Sequence, residues 1–467
     1  MKKGEIMDKK GNIRKKMQIT SRKTDKKVMK GILWILGIFV GLLILIALIG
    51  ELSDRIGKAS LRPYRKRFDA YLEKYQETVK NNSMGQYEDE SDENAWDHYS
   101  NGNFAEFASS KSIILAAYDK TELSEDIISE MKKYSGLEES IFKGAKCKYC
   151  HIPFNFKDQI NARFPKIVVL KQTTKYMSVL AKYYLNNGKN EEALEVLKAG
   201  FILSADLPKG FPTLISEMIK TACDSILLSA VECGISKESF RGAELQEISK
   251  MLRSEHGKNI AETVYFEQLQ MVYIVENTSC IELIDVMSMS SRGDRGTPNF
   301  LRQMYEYFSF RLLFIKTGFS PFMSLANGYE PITELYEKIK NAKWNDIYTE
   351  QSKYEKEILK SMIWRIIYPG LDYVYLKFLA TDQRMKLVDI AAQLKKYKGE
   401  KGEYPRDLNV LGLDPEILLD NMSGAPIVYE ILEAGKIKLG IDIEKATIPD
   451  ENPYKKAFKY FEPIILN

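Results

Sequence analysis

The sequence predicts a mainly α-helical protein with one transmembrane helix near its N-terminus, a multi-helix domain after it and a small α+β module at its C-terminus. Residues 31–50 form an uncharged apolar run. From about residue 104 to 398, apolar residues recur three and four positions apart, which is the helical period. After about residue 425 the pattern changes to that of a short hairpin.

Composition sets the broad class of protein. The chain has 467 residues, 45% of them hydrophobic and 28% charged, so a sizeable core can form in two or three domains. Residues 1–30 hold twelve Lys or Arg against three acidic residues, while the whole chain has a net charge of +4. The remainder is therefore slightly acidic, which argues against a nucleic-acid partner. We assign residues 1–30 to a basic cytoplasmic tail.

Residues 31–50 (GILWILGIFVGLLILIALIG) are predicted to be a transmembrane anchor, with the lipid bilayer as their partner. Twenty helical residues span about 30 Å, the thickness of the hydrocarbon core. A cleaved signal peptide is the alternative, but its apolar region usually has only about 7–15 residues and a small-residue cleavage site. The basic tail favours an N-terminus inside the cell. We therefore expect a bacterial inner-membrane protein whose main domain is extracytoplasmic.

The anchor contains Gly37 and Gly41, a spacing that lets two membrane helices approach closely. They are a candidate dimer contact. Glycine is common in membrane helices, so the alternative is that Gly37 and Gly41 make no contact with a second helix.

Residues 51–103 are predicted to be a juxtamembrane helix followed by an acidic linker. Residues 51–81 continue as a charged helix, and residues 86–97 (QYEDESDENAWD) are read as a solvated linker. Residues 104–370 then form the helical domain. Within it, one segment resembles a tetratricopeptide unit through Ala181, Tyr184, Gly188, Ala193 and Leu197. An ordinary helical hairpin explains the same residues, because a second copy is not recognisable and solenoids need about three repeats.

Residues 371–467 are predicted to form the C-terminal module. A helix from about 371 to 398 ends at Gly399–Gly402, and a hairpin joins 427–432 to 436–441 through a turn at Ala434 and Gly435. One helix face should pack against one face of the hairpin. The helix face comprises Leu387, Ile390, Ala391 and Leu394, and the hairpin face comprises Ile427, Tyr429, Ile437 and Leu439.

The sequence after this helix, E-Y-P at 403–405 and D-N-M-S-G-A-P-I-V-Y at 420–429, is similar to the C-terminal part of the major pseudopilins of type II secretion. The resemblance covers residues 384–442. Asn421 departs from it, because the family usually has proline there. Uncharacterised single-pass bacterial membrane proteins with the same ending also resemble this chain at Asn94, Ala95 and Tyr99 and at Cys150 and Pro153. The resemblance implies an architecture and no reaction.

Cys147, Cys150 and His151 form a C-x-x-C-H motif, the attachment signature of c-type haem. A local disulfide or plain packing explains the same cysteines. Because Pro153 disfavours helix just after the motif, we expect a loop there, with Phe154 and Phe156 turned into the domain and Cys150 packed beside them. We also expect that covalent haem is not attached.

Other recognisable chemistry is scarce in the sequence. Three histidines leave little material for a metal site or a catalytic triad, and no G-x-S-x-G, phosphate loop or H-E-x-x-H occurs. The predicted function is therefore that of a membrane-anchored, non-enzymatic extracytoplasmic scaffold that binds a protein partner. The alternative is a membrane-bound redox protein with covalent haem at the C-x-x-C-H motif. A hydrolase with dispersed site residues is a third possibility.

Overall fold

A computed structural model of the chain describes residues 4–81, 91–100, 116–117, 123–134, 136–157, 165–255, 260–278, 371–442 and 463–466, and the single positions 307, 320, 322, 333, 334 and 337. Over these residues the protein is mainly helical, as predicted, with two small sheets. The chain divides into two compact units. One comprises residues 1–61 and 278–327, and the other residues 62–277 and 328–467.

The first helix, α1 (Gly4–Asn81), has 78 residues and includes both the apolar run and the predicted juxtamembrane helix. It is the one helix of the described chain that is long and apolar enough to cross a membrane, and only 6% of its most apolar 18-residue window is buried. A membrane anchor and a signal sequence are both consistent with such a helix. In the first unit, Lys58 Nζ donates to the Thr278 carbonyl at 3.1 Å and lies 4.4 Å from the centre of the Phe322 ring.

The second unit contains the remaining regular helices that the structure describes. They are α2 (Ala95–Ser100), α3 (Glu125–Lys132), α4 (Leu137–Ala145), α5 (Val168–Asn186), α6 (Asn190–Gly210), α7 (Leu214–Ser236), α8 (Gly242–Glu255), α9 (Ile260–Asn277) and α10 (Leu371–Lys401). Helices α5, α6 and α7 pack against one another, and α10 packs on α7 and α8. The pair α5–α6 is the predicted helical hairpin. Gly188 supplies its turn with a φ of +69°, and Ala181 and Ala193 are fully buried.

Two small sheets complete the second unit. Strands β1 (Ser91–Asn94) and β2 (Cys147–Tyr149) pair in parallel. They were not predicted, and β1 lies in the stretch that we read as a solvated linker. Strands β3 (Val428–Ile431) and β4 (Ile437–Gly440) form the predicted antiparallel hairpin, and β5 (Ile464–Leu466) adds an antiparallel third strand beside β4.

The C-terminal helix and hairpin pack largely as predicted. The α10 residues Leu387, Ile390, Ala391 and Leu394 are buried, as are Ile427, Ile437 and Leu439 of the hairpin. Helix α10 contacts β4 and also β5, which the prediction lacked. Tyr429 is only half-buried, because its hydroxyl reaches the Pro405 carbonyl at 2.6 Å and satisfies its polar end there.

Asn421 joins the segment before β3 to α10. Its backbone N–H donates to Gln383 Oε1 at 2.7 Å, and its Oδ1 accepts from Lys386 Nζ at 2.6 Å. Its Nδ2 also donates to the Asp382 carboxylate. Proline has neither the N–H nor the amide, so it could not bind α10 in this way.

Helix α10 is fixed to its neighbours by buried charges. Arg384 forms two parallel bonds to Glu232 of α7, Nε–Oε1 at 2.6 Å and Nη2–Oε2 at 2.8 Å, and both side chains are 8% exposed. Asp389 accepts from Arg253 Nε of α8 at 2.8 Å and from the Ser249 hydroxyl. These contacts fix the position of α10 on α7 and α8, because a buried charge is destabilising unless its hydrogen bonds are made.

We predict that Arg384→Met destabilises the second unit by about 3–5 kcal/mol, since Glu232 then stays buried without its bidentate partner. The double variant Arg384→Met/Glu232→Leu should recover most of this loss. Lys438→Met, which breaks an exposed ion pair with Glu430, should change stability by less than about 1 kcal/mol. The measurement is chemical unfolding of the detergent-solubilised chain. Equal destabilisation in the single and double variants would contradict the prediction.

Candidate functional site

The structure joins two segments that the sequence singled out separately, residues 91–100 and residues 147–153. Strands β1 and β2 pair Ser91 with Cys147 and Asn94 with Tyr149. Beyond the end of β2, the Asn94 side chain makes the backbone hydrogen bonds that a neighbouring strand would otherwise make. Its Nδ2 donates to the His151 carbonyl at 2.9 Å, and its Oδ1 accepts from the His151 N–H at 2.7 Å. Asn94 thus holds the backbone of the C-x-x-C-H motif.

Tyr99 forms the buried centre of this junction. Its side chain is fully buried, and its hydroxyl donates to Asp206 Oδ2 of α6 at 3.0 Å. Burial, together with the charge of Asp206, raises the pKa of Tyr99 well above its usual range, so the phenol remains a neutral donor. Gly144 of α4 lies directly against the ring, because a Cβ there would be 2.3 Å from a Tyr99 ring carbon.

Cys150 is packed inside the same junction. It is 4% exposed, and a Cβ added at Gly210 would lie 3.0 Å from its carbonyl oxygen and 3.1 Å from its Sγ. Burial raises the pKa of the Cys150 thiol, followed by the charge of Asp206. The thiol is therefore an inert packing group at neutral pH.

The predicted loop after the motif is confirmed. Residues 150–155 have no regular structure, and the Ile152 N–H donates to the Gly210 carbonyl at 3.2 Å. Phe156 is buried and Phe154 half-buried. Both rings pack against Phe211, with centroids 5.4 and 5.0 Å away.

These positions do not fit a covalent haem. A c-type haem needs both thiols and the histidine to face one porphyrin. Here Cys150 lies against the backbone of Gly210, while His151 is exposed and its backbone is held by Asn94. The four cysteines in the described part of the chain are free thiols.

Cys147 has different neighbours from Cys150. Its Sγ donates to the Lys143 carbonyl at 3.3 Å. Burial raises the pKa of Cys147 to about 11, and the nearby charges of Glu93, Asp206 and Asp97 act in the same direction. Glu93 Oε2 and His98 Nε2 are 2.7 Å apart. One ligand atom each from Glu93, His98 and Cys147 lies within 4.8 Å of the other two.

Sequence reasoning did not find this group of three side chains. Glu93 and His98 are five positions apart in an acidic stretch that looked like a linker, and Cys147 follows 49 positions after His98. The β1–β2 pairing and the packing of α2 against α4 and β2 bring them together.

Gly37 and Gly41 lie on α1 as predicted. A Cβ added at Gly37 or Gly41 would meet no atom within 4 Å. This part of the helix surface is therefore open.

We predict that Gly144→Ala destabilises the junction by about 1–3 kcal/mol, because the new methyl group must displace the buried Tyr99 ring. Gly399→Ala is the matched control, since it also lies in a helix but its Cβ would meet nothing within 4 Å. That variant should instead stabilise by up to about 1 kcal/mol, because alanine favours helix. Thermal unfolding of both proteins tests this, and a stabilised Gly144→Ala would show that the ring is not tightly held.

The chain matches no protein-family model, no curated protein and no solved structure. Its function therefore has to be inferred from the exposure and chemistry of its own residues.

Proposed function

We propose that this protein is a membrane-anchored, extracytoplasmic scaffold that binds a protein partner and has no enzymatic activity of its own. The observation that carries the proposal is the exposure of the apolar part of α1. Twelve large apolar residues between positions 33 and 49 have exposed fractions of 38% to 74%. They are Leu33, Trp34, Ile35, Leu36, Ile38, Phe39, Val40, Leu42, Ile44, Leu45, Leu48 and Ile49.

A bilayer removes this surface from water. Full burial of one large apolar side chain contributes about 1.5–3 kcal/mol, so twelve such side chains favour insertion strongly. A helix suits the hydrocarbon core because its backbone groups are bonded internally. Residues 33–42 are exposed on all sides of α1, whereas Ile46 and Gly50 are buried on one face of its second half. The exposure of the first half favours lipid over a protein groove as its surroundings.

The orientation follows from the basic tail. Twelve Lys or Arg precede the apolar run, and six occur in residues 51–70. The excess of cations on the N-terminal side favours retention of that side in the cytoplasm. The helical domain and the C-terminal module would then lie outside it.

A structural role for the domain is supported by the partners of its buried charged residues, which are other residues of the same domain. Arg384 pairs with Glu232, Asp389 with Arg253, and Lys220 with Asp224 at 2.5 Å. These contacts join or stiffen helices. The α5–α6 hairpin, similar to one tetratricopeptide unit, and the pseudopilin-like C-terminal module belong to the same scaffold. Gly37 and Gly41 would let two copies of α1 approach in the membrane.

The first test is topology. A reporter that is active only outside the cytoplasm, fused after Asn467, should be active, because the basic tail keeps the N-terminus inside. A cytoplasmic reporter at the same position should be silent. Replacing the Lys and Arg of residues 1–30 with Gln should reduce or invert this difference. Activity of only the cytoplasmic reporter in the unaltered chain would reverse the proposed orientation.

The second test separates an anchor from a signal sequence. We expect the mature protein to retain an N-terminal epitope tag and to stay with the membrane after high-salt washing, because the apolar run is longer than the core of a signal peptide. Intact-mass measurement of the purified chain checks this directly. Loss of the first fifty or so residues would make the remainder a soluble secreted protein.

A further inference from the structure

We propose that Glu93, His98 and Cys147 form a binding site for a divalent metal ion of the zinc type. This goes beyond the proposed scaffold role and does not depend on it. The three residues come from three elements, with Glu93 on β1, His98 on α2 and Cys147 on β2.

The geometry is that of a site which needs little rearrangement. In a tetrahedral site with metal bonds of about 2.0–2.3 Å, ligand atoms are roughly 3–4 Å apart. The carboxylate, imidazole and thiol atoms of this group all lie within 4.8 Å of one another. The short contact between Glu93 Oε2 and His98 Nε2, at 2.7 Å, would open as an ion entered between them.

The scarcity of histidine and cysteine in the chain gives weight to the proximity of Glu93, His98 and Cys147. There are only three histidines and five cysteines in 467 residues. One scarce histidine and one scarce cysteine come within 4.8 Å of each other because β1 pairs with β2 and α2 packs beside them. An exposed acidic cluster would not carry the same weight, because carboxylates are abundant.

The ligand types select the class of metal. A thiolate and an imidazole favour zinc and its neighbours, whereas magnesium and calcium prefer oxygen ligands alone. Three protein ligands leave the fourth position of a tetrahedral ion for water or for a group from a partner. Cys147 forms the buried wall of the site, and Glu93 is on its exposed side.

Binding would tie residues 91–100 to the α4–β2 segment. Asn94 already holds the backbone of His151 on one side of this junction. An ion on the other side would add three bonds between β1, α2 and β2. Because the ion binds the folded junction, the free energy of unfolding should rise with the logarithm of the ion concentration once the site is saturated.

The test uses the full chain in detergent, purified without a histidine tag and treated with a chelator. Titration with Co²⁺ should give one saturable equivalent, with absorption bands typical of a thiolate-bound tetrahedral ion, and Zn²⁺ should displace it. Cys147→Ser should abolish the thiolate band. His98→Gln and Glu93→Gln should weaken binding by about a hundredfold and tenfold, respectively. Removal of even an outer-shell partner typically costs 10–100-fold.

Matched controls come from the neighbouring motif. His151→Ala and Cys150→Ala change the other two residues of C-x-x-C-H and should leave the cobalt spectrum unaltered, with circular dichroism used to confirm folding. Glu93 is exposed, so Glu93→Gln remains informative if a buried variant does not fold. A chain that binds no equivalent of cobalt or zinc would overturn the proposal. Binding that survives Cys147→Ser but is lost in His151→Ala would overturn it equally.

Discussion

The bidentate pair between Arg384 and Glu232 fixes the helix around which the second unit is built. Both side chains are almost fully buried, so their charges are tolerated only while the two bonds are made. A shift of α10 by one residue would turn Arg384 away from α7 and Asp389 away from Arg253 and Ser249. An apolar contact would tolerate such a shift. The buried charges therefore determine the register of α10 more than they add to its stability.

The C-terminal sheet depends on that register. Asn421 binds three residues of α10 through its backbone and side chain, namely Asp382, Gln383 and Lys386. Asp420 holds the turn itself, because its Oδ1 accepts the N–H groups of Met422 and Ser423 at 2.8 and 2.6 Å. Gly424 follows with a φ of +74°, which glycine adopts without strain. Asp420, Asn421 and Gly424 thus each have a structural role in this turn.

The sequence was sufficient where periodicity is strong. The apolar part of α1 was predicted from its unbroken apolar run. The α5–α6 and β3–β4 hairpins were predicted from the period of their apolar residues and from a glycine in each turn. The sequence was insufficient for β1, β2 and β5, which are as short as β3 and β4 but pair with strands distant in the sequence and not across a hairpin turn. Short strands have no period of their own and are fixed by their partners. The pairing of Glu93 and His98 with Cys147 depends on two such strands, so it could not be foreseen.

The C-x-x-C-H motif shows how one residue pattern can serve several tasks. Its spacing suggested a cofactor, yet each residue has a separate environment. Cys150 fills space against Gly210, His151 offers its backbone to Asn94, and Cys147 faces Glu93 and His98. The loop that follows is anchored by aromatic contacts, with Phe156 lying 5.1 Å from Phe266 of α9 and 5.9 Å from Tyr75 of α1. These contacts, together with the pairing of β2 with β1, fix both ends of the segment that carries Cys147, which is what a preorganised metal ligand requires.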